Sequence, residues 1–320
     1  MPDPAEISLS GRRIAVTGGG GFVGSHLVDG LVEQGAVVRL LGPLGRTRPQ
    51  VTALLEAGRV EQAEAGEGCQ ALVHLAYRAP GALTAAAALH TEVAQNHLET
   101  VRMLEDAERW GIEHVVFASS VSVYRPAEER IPETAPAGEG VAPYGAVKAM
   151  QEMRCRSWAE ATGGLATILR LSNVYGPGET LRRAIPRFLQ AAQERRPPVV
   201  AGTGRGRFDP IFVDDVVDAF ISALRRRRCR TYNVASGVPR TTREVAELVL
   251  RMAGLDIEPI YETERDDGDR PLPDVERAAN DLGFRARTPL ETGLLVERGW
   301  LRQNPPGAGL GTSTRSARDV

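Results

Sequence analysis

Apolar residues fall into short, nearly continuous runs along the chain, and these runs alternate with longer amphipathic stretches. The run RRIAVT at 12–17 predicts a buried strand, the amphipathic stretch at 22–35 predicts a helix, and AVVRLLG at 36–42 predicts a second strand. Four glycines at 18–21 are predicted to form the turn between the first strand and the helix. A strand, a glycine turn, a helix and a strand within about thirty residues indicate a right-handed βαβ unit.

The same alternation continues through the first half of the chain. Further strands are predicted at 71–76, 114–120 and 165–176, and helices at 84–109 and 144–162. Between them the signal is poorer: residues 50–60 fit a helix and a weak strand, and EQAEAGEG at 61–68 is typical of a loop. Nearly continuous apolar strands that alternate with helices favour an α/β fold, a Rossmann-type doubly wound parallel sheet.

The composition of the sequence changes after residue 176, where proline and arginine become frequent and the predicted helices become shorter. The elements predicted there are helices at 181–195 and 242–253, a strand that turns into a helix over 210–228, and a strand at 232–236. We therefore expect a main domain over 1–176 and a smaller C-terminal lobe over 177–303, from which about 208–236 return to the main sheet. Residues 304–320 predict a disordered tail.

Composition and charge narrow the class of protein. The 320 residues include 41 acidic and 39 basic side chains, for a formal net charge of −2. This balance gives no support to a nucleic-acid-binding surface or a polybasic membrane surface. The sequence has no apolar signal core, no run near the ~18–20 apolar residues of a membrane span, no CxxC pair and no HExxH-like spacing. We expect a soluble cytoplasmic protein with no disulfide framework and no metal.

The glycine turn carries the first chemical motif. Gly18, Gly21 and Gly24 surround Phe22 between a predicted strand and a predicted helix. Glycines let the backbone approach a pyrophosphate closely, and the following helix offers its N-terminal amides and dipole to the anion. A glycine cluster alone is a weak signal, but inside a βαβ unit it indicates a dinucleotide site.

A second motif is the pair Tyr144 and Lys148 on a predicted helix, where a spacing of four residues places both side chains on one face. A phenol with its ordinary pKa near ~10 is a poor base at neutral pH, and a neighbouring ammonium favours its ionised form. Lys148 is the only lysine among the 39 basic residues. Since arginine supplies every other basic side chain, the exception indicates that a compact amine is needed here.

A third candidate is the serine run at 119–122, which follows the apolar run of a predicted strand. Ligands of open α/β sheets collect at the carboxyl ends of the strands, so the hydroxyl of Ser120 is placed to bind a substrate oxygen and assist proton transfer by Tyr144. Serines that cap a turn are the alternative interpretation, above all for Ser119 and Ser122. The chain has no GxSxG motif, which disfavours a serine hydrolase.

Several segments follow one another in a recognisable order over roughly residues 12–300. They are TGGGGFVGSHL, VHLA, VAQNHLETVRML, FASSVSVY, YGAVK, LRLSNVYGPG, FVDD and YNVASG. In these segments the sequence resembles the extended short-chain dehydrogenase/reductases, and more narrowly their nucleotide-sugar epimerase/dehydratase branch. The resemblance implies an NAD(P)-dependent enzyme that binds the cofactor with residues 1–176 and a nucleotide sugar mainly with residues 177–303.

The resemblance also implies roles for individual residues. Tyr144 matches the acid/base, Ser120 the catalytic Ser/Thr, and Lys148 the residue that holds the nicotinamide ribose. Cofactor contacts are implied at Gly18, Gly21, Phe22, Val23, Gly24, Leu75, Ala76, Asn96, Tyr144 and Lys148. Asn173 matches a contact to the substrate diphosphate, and Ser120 and Ser122 are further candidate substrate contacts.

Departures from the family pattern affect the choice of cofactor. The acid that binds the adenosine ribose falls on Gly42, and an acid there would accept bonds from a 2′-hydroxyl and repel a 2′-phosphate. With Arg46 and Arg48 close behind, the cofactor is left open between NAD and NADP, and Arg46 is a candidate cofactor contact. The usual Asp after the third strand is also missing from the shortened segment at 57–70.

Other departures concern the substrate. The arginine that normally helps to bind the sugar nucleotide's diphosphate falls on Phe208, with Arg207 one position early, and Arg270 or Arg265 is a possible substitute. The 4,6-dehydratases of the family place Asp and Glu directly after the catalytic Ser/Thr, where this chain has Val121 and Ser122. Because elimination of water needs an additional acid and base, a dehydratase is disfavoured.

The leading hypothesis is a nucleotide-sugar epimerase that works by transient hydride transfer through a keto-sugar intermediate. An NADPH-dependent ketoreductase of a 4-keto-6-deoxy sugar nucleotide is the alternative within the family, and a catalytically silent NAD(P)-binding protein is the alternative outside it. The family resemblance also implies a homodimer through the helices at 84–109 and 144–162. The sequence names neither the sugar nor the nucleotide.

Overall fold

The computed structural model describes residues 6–43, 48–78, 85–179, 183–264 and 270–305. In chain order the elements are β1 Arg13–Thr17, α1 Phe22–Glu33, β2 Val37–Leu41, α2 Pro49–Glu56, β3 Val60–Ala63, β4 Ala71–His74, α3 Ala85–Glu92, a π-helical turn Val93–His97, α4 Leu98–Arg109, β5 His114–Ser120, a 3₁₀ turn Val121–Val123, α5 Pro143–Thr162, β6 Leu165–Leu171, β7 Asn173–Tyr175, α6 Ala184–Gln193, β8 Val199–Ala201, β9 Arg207–Phe208, β10 Pro210–Phe212, α7 Val213–Arg226, β11 Thr231–Val234, β12 Arg240–Thr241, α8 Thr242–Met252, β13 Ile260–Glu262, α9 Glu276–Leu282 and α10 Leu290–Gln303.

The main sheet has seven strands in the order β11–β6–β5–β4–β1–β2–β3. The strand pairings described within it are all parallel, including β1 with β2 and β4, and β5 with β4 and β6. The order reverses at β1, between β2 and β4, which is where open α/β sheets bind ligands at the carboxyl edge. The predicted Rossmann-type α/β fold is confirmed.

Burial explains why the strands are so apolar. Every residue of β5 is buried, because helices cover both faces of the sheet. On one face Trp158 and Cys155 of α5 and Leu104 of α4 pack with Phe117 of β5 in one cluster. Elsewhere α1 packs against α7 so closely that a Cβ on Gly30 would lie 2.6 Å from Val217 Cγ1.

The structure corrects three details of the predicted elements. The helix predicted over 84–109 is interrupted by the π-helical turn at Val93–His97. The strand predicted over 165–176 is two strands, β6 and β7, because the backbone breaks at Ser172, whose hydroxyl donates to Asp209 O at 2.6 Å. Glu61, Gln62 and Ala63, predicted as loop, form most of β3, an edge strand whose charged and polar residues suit an exposed edge.

The chain forms two compact units. The first comprises the described residues within Met1–Val174, Gly206–Thr241 and Gly268–Thr288, and it contains the seven-stranded sheet. The second comprises the described residues within Tyr175–Arg205, Thr242–Asp267 and Pro289–Val320, and here α6 packs against α8 and α10 while β8 pairs with β13. Of the tail predicted over 304–320, residues 306–320 lie outside the described residues. Among the helices of the described ranges, none is both long enough and apolar enough to cross a bilayer.

Candidate active site

The glycine turn between β1 and α1 is shaped by close backbone contacts. Gly18 has φ +71° and accepts a hydrogen bond from Gly21 N at 3.0 Å. A Cβ on Gly18 would lie 2.8 Å from Ala76 N, and a Cβ on Gly24 would overlap Gly18 O. Side chains are therefore excluded at both positions, and the first turn of α1, with Phe22 and Val23 half-buried, stays close to the turn. The backbone amides at this helix start form a cradle suited to a pyrophosphate.

Replacing Gly24 with alanine tests the cradle. We expect Gly24→Ala to weaken dinucleotide binding by at least tenfold, because the added methyl overlaps Gly18 O and forces the turn open. Gly299→Ala is the matched control, since a Cβ at this position of α10 meets no atom within 4 Å. The measurement is a fluorescence titration with NAD, together with the melting temperature; equal affinity in both variants would contradict this role for the turn.

The segment after β4 is tied to the glycine turn through its backbone. Thr17 Oγ1 accepts a hydrogen bond from Ala76 N at 3.3 Å and lies 2.7 Å from His74 Nδ1. Burial lowers the pKa of His74 to about 3, so its imidazole is neutral and joins Thr17 to Thr100 Oγ1, 2.9 Å from Nε2. Leu75 and Ala76, the predicted cofactor contacts, therefore lie directly beside Gly18.

Gly42 and Arg48 bear on which ribose the site would accept. Gly42 has φ +81° and directly follows β2, at the position where the resemblance implies an acid. Arg48 donates to Gly21 O at 3.3 Å, and its guanidinium lies 5.7 Å from the centre of the Phe22 ring. The structure thus brings Arg48 to the glycine turn, whereas Arg46 lies outside the described residues.

Asn96 lies in the π-helical turn and is 3% exposed. Its side chain accepts a hydrogen bond from Arg78 N at 2.8 Å and donates to Arg78 O at 3.0 Å. Asn96 therefore holds the backbone of the segment that follows β4. A π-helical turn often marks a functional position in a helix.

Ser120 lies at the carboxyl end of β5, where the strand passes into the 3₁₀ turn. Its hydroxyl accepts a hydrogen bond from Ser122 N at 3.1 Å, so the turn-capping interpretation also holds for Ser120. Helix α5 lies directly against this turn, because a Cβ on Gly145 would overlap Ser122 O. The contact brings Ser120 and Ser122 next to the helix turn that carries Tyr144.

Lys148 follows one helical turn later and is 4% exposed. Its Nζ donates to Ala118 O in β5 at 2.8 Å and lies 4.7 Å from the centre of the Phe117 ring. Burial lowers the pKa of Lys148 to about 8, partly opposed by the charges of Glu92 and Glu152. An ammonium with this pKa is still mainly charged at neutral pH.

Tyr77, which the sequence analysis missed, joins the two halves of the site. It follows Ala76 directly, and its ring lies edge-on to the Tyr144 ring with centroids 5.1 Å apart. Lys148 Nζ lies 5.5 Å from the centre of the same ring. The signal in the sequence was its place just beyond the carboxyl end of β4, at the edge where ligands bind.

A buried polar network supports the end of β5. Glu152 of α5 is 0% exposed and accepts two hydrogen bonds from Arg170 of β6, at 2.8 and 2.6 Å, and one from Ser119 Oγ at 2.5 Å. Arg170 also donates to Tyr124 Oη at 2.6 Å, and Tyr124 donates to Asn233 in β11. Ser119 therefore anchors the strand through Glu152, while the Ser120 hydroxyl caps the following turn.

The remaining predicted substrate contacts lie in other parts of the first unit. Asn173 begins β7, where its backbone N donates to Asp209 O at 3.2 Å. Arg207 is exposed on β9 and pairs with Thr241 of β12, while Arg270 N donates to Arg207 O at 3.0 Å. The two arginines are thus neighbours, and Arg265 lies outside the described residues. No group of three or more metal-ligating side chains occurs within the described ranges.

A parallel sheet with a glycine turn, and a tyrosine and lysine one helical turn apart beside a strand-end serine, define a short-chain dehydrogenase/reductase of the extended class. Residues 14–235 match the NAD dependent epimerase/dehydratase family. The chain belongs to this family, so it is an NAD-dependent enzyme of the nucleotide-sugar epimerase/dehydratase branch, as the resemblance implied.

Individual relatives cover nearly the whole chain. A putative UDP-glucose 4-epimerase of Methanocaldococcus jannaschii is 26% identical over 91% of this chain and 99% of its own length. A dTDP-glucose 4,6-dehydratase of Mycobacterium tuberculosis is 29% identical over 91% of this chain and 94% of its own. Among solved structures, MoeE5 in complex with UDP-glucose and NAD matches with a TM-score of 0.78 and 28% identity, covering 91% of this chain and 99% of that one. UDP-glucose 4-epimerase of Thermotoga maritima with UDP-glucose matches with a TM-score of 0.81 and 26% identity over the same shares.

Proposed function

We propose that this protein is a nucleotide-sugar epimerase that uses NAD and works through a transient keto sugar. The observation that carries the proposal is the continuous link from the glycine turn to the catalytic side chains. Gly18 contacts Leu75 and Ala76, and the next residue, Tyr77, contacts both Tyr144 and Lys148. A dinucleotide held at the turn would therefore extend toward an acid/base and a cation at the same sheet edge.

The residues present fit NAD. Gly18 and Gly24 allow the tight turn because a Cβ at either position would collide with neighbouring backbone atoms, and the start of α1 supplies the amides that would bind a pyrophosphate. Lys148 would hold the nicotinamide ribose. Bound NAD would supply an acceptor for hydride from the sugar carbon and a donor that returns it.

The chain's own residues would carry the proton. Tyr144, as phenolate, would take the proton of the sugar hydroxyl while the hydrogen on the same carbon leaves as hydride, which converts the alcohol to a ketone. Ser120 would donate a hydrogen bond to that oxygen, and the positive charge of Lys148 favours the phenolate. After the ketone turns, Tyr144 would return the proton to the oxygen as hydride adds to the other face, which completes inversion.

The residues after Ser120 favour epimerisation over dehydration. Val121 is apolar and 4% exposed, and Ser122 has no group that titrates near neutral pH. Loss of water needs one side chain that removes a carbon-bound proton and another that protonates the leaving hydroxyl. Neither position supplies these groups, although some relatives of this chain carry the name of a 4,6-dehydratase.

The test is turnover of UDP-glucose, UDP-glucuronic acid and dTDP-glucose, each deuterated at the carbon to be inverted. The epimerase proposal expects the inverted product with deuterium retained, no net change in NADH absorbance and NAD carried through purification. Stoichiometric NADPH oxidation with a 4-keto-6-deoxy sugar nucleotide would instead establish the ketoreductase. Nucleotide binding without turnover of either class would mean a silent binding protein.

The end of β2 bears on the choice between NAD and NADP. Gly42 offers no carboxylate against a 2′-phosphate, and Arg48 lies at the turn beside Phe22. We expect NAD to bind, as in the family, and NADP to bind within about tenfold of it, because the usual repulsion is missing at Gly42. Arg48→Gln is expected to weaken NADP binding several-fold more than NAD binding in calorimetric titrations; an equal effect on both would exclude Arg48 from the ribose site.

A homodimer is the proposed assembly. Leu89 of α3, Leu98 of α4 and Met153 of α5 are 41%, 46% and 54% exposed, which leaves large apolar side chains uncovered on adjoining helices. We expect Met153→Glu to convert a dimer to a monomer in light scattering coupled to size exclusion. Val296→Glu, at a position 48% exposed on α10, is the control and is expected to leave the dimer intact.

A further inference from the structure

Tyr77 makes contacts that the proposed catalytic residues alone do not explain. Its half-buried ring packs edge-on against Tyr144, with an angle of 76° between the ring planes, and faces the Lys148 ammonium at 5.5 Å. A single side chain therefore touches both the acid/base and the cation that tunes it. An aromatic face attracts a cation and excludes water, so this ring influences how much water reaches the region between Tyr144 and Lys148.

Tyr77 is held in place from its polar end. Its hydroxyl donates to Glu92 Oε1, and the other carboxylate oxygen accepts a hydrogen bond from Asn96 Nδ2 at 2.9 Å. Glu92 is 2% exposed and ends α3, while Asn96 belongs to the π-helical turn and also holds both backbone groups of Arg78. One stretch of helix therefore holds both the side chain of Tyr77, through Glu92, and the backbone of Arg78, through Asn96.

The bond to Glu92 makes the two neighbouring tyrosines chemically different. Burial, the hydrogen bond to Glu92 and the negative charge of Glu92 raise the pKa of Tyr77 far above its ordinary value. Tyr77 is therefore neutral at neutral pH. Because Tyr77 does not ionise, the positive charge of Lys148 favours ionisation of Tyr144 instead. The other titratable groups that act on Lys148 are Glu152 and Cys155 of its own helix, and the neutral His74 of β4 lies nearby.

We propose that Tyr77, held by Glu92 and Asn96, is a positioning residue that orients the Tyr144 phenol and keeps water from the space between Tyr144 and Lys148. The proposal rests on the proposed function, because it assigns the acid/base role to Tyr144. It assigns Tyr77 itself no proton transfer. The same contacts predict that the aromatic ring matters more than the hydroxyl.

The first experiment measures turnover with two substitutions at one position. Tyr77→Leu removes the ring, and we expect kcat to fall by about 10- to 100-fold with KM and the Kd for NAD within about threefold of wild type, because misplacement affects the transition state rather than binding. Tyr77→Phe keeps the ring and is expected to retain at least about one-third of kcat. Tyr261→Leu, which removes a ring packed on Arg243 in the second unit, is the control. Wild-type kcat in Tyr77→Leu, or equal losses in the Phe and Leu variants, would overturn the proposal.

The second experiment needs no substrate. Because Lys148 is the only lysine, labelling with ¹³Cε-lysine gives one side-chain signal whose shift with pH reports its ionisation. In Tyr77→Leu water replaces the ring, so the pKa of Lys148 is expected to rise from about 8 by at least about 0.5, whereas Tyr77→Phe leaves it near the wild-type value. An unchanged pKa in Tyr77→Leu refutes the shielding role whatever the turnover. The result also stands apart from the proposed function, because the pKa of Lys148 is measured without substrate and the epimerase proposal is tested by turnover.

Discussion

Replacing Tyr144 with phenylalanine is expected to lower kcat by about 10³-fold or more while the Kd for NAD changes by less than about threefold. General acid–base catalysis contributes about 10²–10⁴-fold to a rate, and the substitution removes only the oxygen that carries the proton. The ring remains, so its edge-on contact with Tyr77 is retained. The loss should therefore appear in the chemical step rather than in binding.

Single-turnover and steady-state kinetics with the nucleotide sugar that the wild type inverts provide the measurement. Tyr261→Phe is the control, because it deletes the same oxygen from a ring that keeps its contact with Arg243. A kcat for Tyr144→Phe within tenfold of wild type would disprove the assignment of Tyr144 as acid/base. The Lys148 pKa of the substrate-free protein is read separately and does not depend on this result.

Replacing Lys148 with methionine is expected to lower kcat at pH 7 by about 100-fold and yet to leave the fold at least as stable as wild type. The loss of activity follows because the phenolate of Tyr144 loses its neighbouring charge, and a shift of ~2 pKa units corresponds to roughly 2.7 kcal/mol. The free energy of unfolding is expected not to fall, because burial makes the ammonium of Lys148 unfavourable in the folded protein and methionine carries no charge. Lys148→Arg keeps the charge and is expected to recover part of the activity.

The sign of the pH dependence follows from the direction of the shift. The pKa of Lys148 falls from 10.5 to about 8 on folding, so between these values the unfolded chain binds more protons than the folded one. Wild-type stability therefore rises with pH from 8 to 10.5 as a penalty of about 3 kcal/mol is relieved, and below pH 8 the penalty is complete.

Urea unfolding with lysine or methionine at position 148, both in a Tyr144→Phe background and at several pH values, follows this contribution, because the phenol whose pKa depends on Lys148 is then absent. The advantage of the methionine variant is expected to shrink as the pH rises through this window. A difference in unfolding free energy that stays constant from pH 7 to 10 would show that Lys148 ionises at its ordinary pKa. The alkaline limb of the activity profile should likewise begin near pH 8.

Local sequence was sufficient to predict the glycine turn and the Tyr144–Lys148 pair. Gly18 and Gly24 act through their immediate strand and helix, and a spacing of four residues fixes a common helix face without tertiary information. The alternating apolar runs likewise predicted the parallel sheet, since strands covered on both faces must be apolar.

Tyr77 and Glu92 could not be found in the same way. They are fifteen residues apart, and they meet only because β4 and α3 are folded together. The π-helical turn that places Asn96 beside Glu92 departs from the 3.6-residue period on which helix patterns depend. The break at Ser172 could not be predicted either. The apolar pattern over 165–176 reports burial, and burial continues past Ser172 although the strand ends before it.

The buried pair of Arg170 and Glu152 has an evolutionary consequence. Removing one partner leaves an uncompensated buried charge at a cost of about 3–5 kcal/mol, a large part of the roughly 5–15 kcal/mol that stabilises a typical domain. Replacing both with apolar residues of similar volume is often neutral. A lineage that starts from this sequence therefore cannot lose either residue in one step without a large loss of stability, and the two positions are expected to change together or stay as they are.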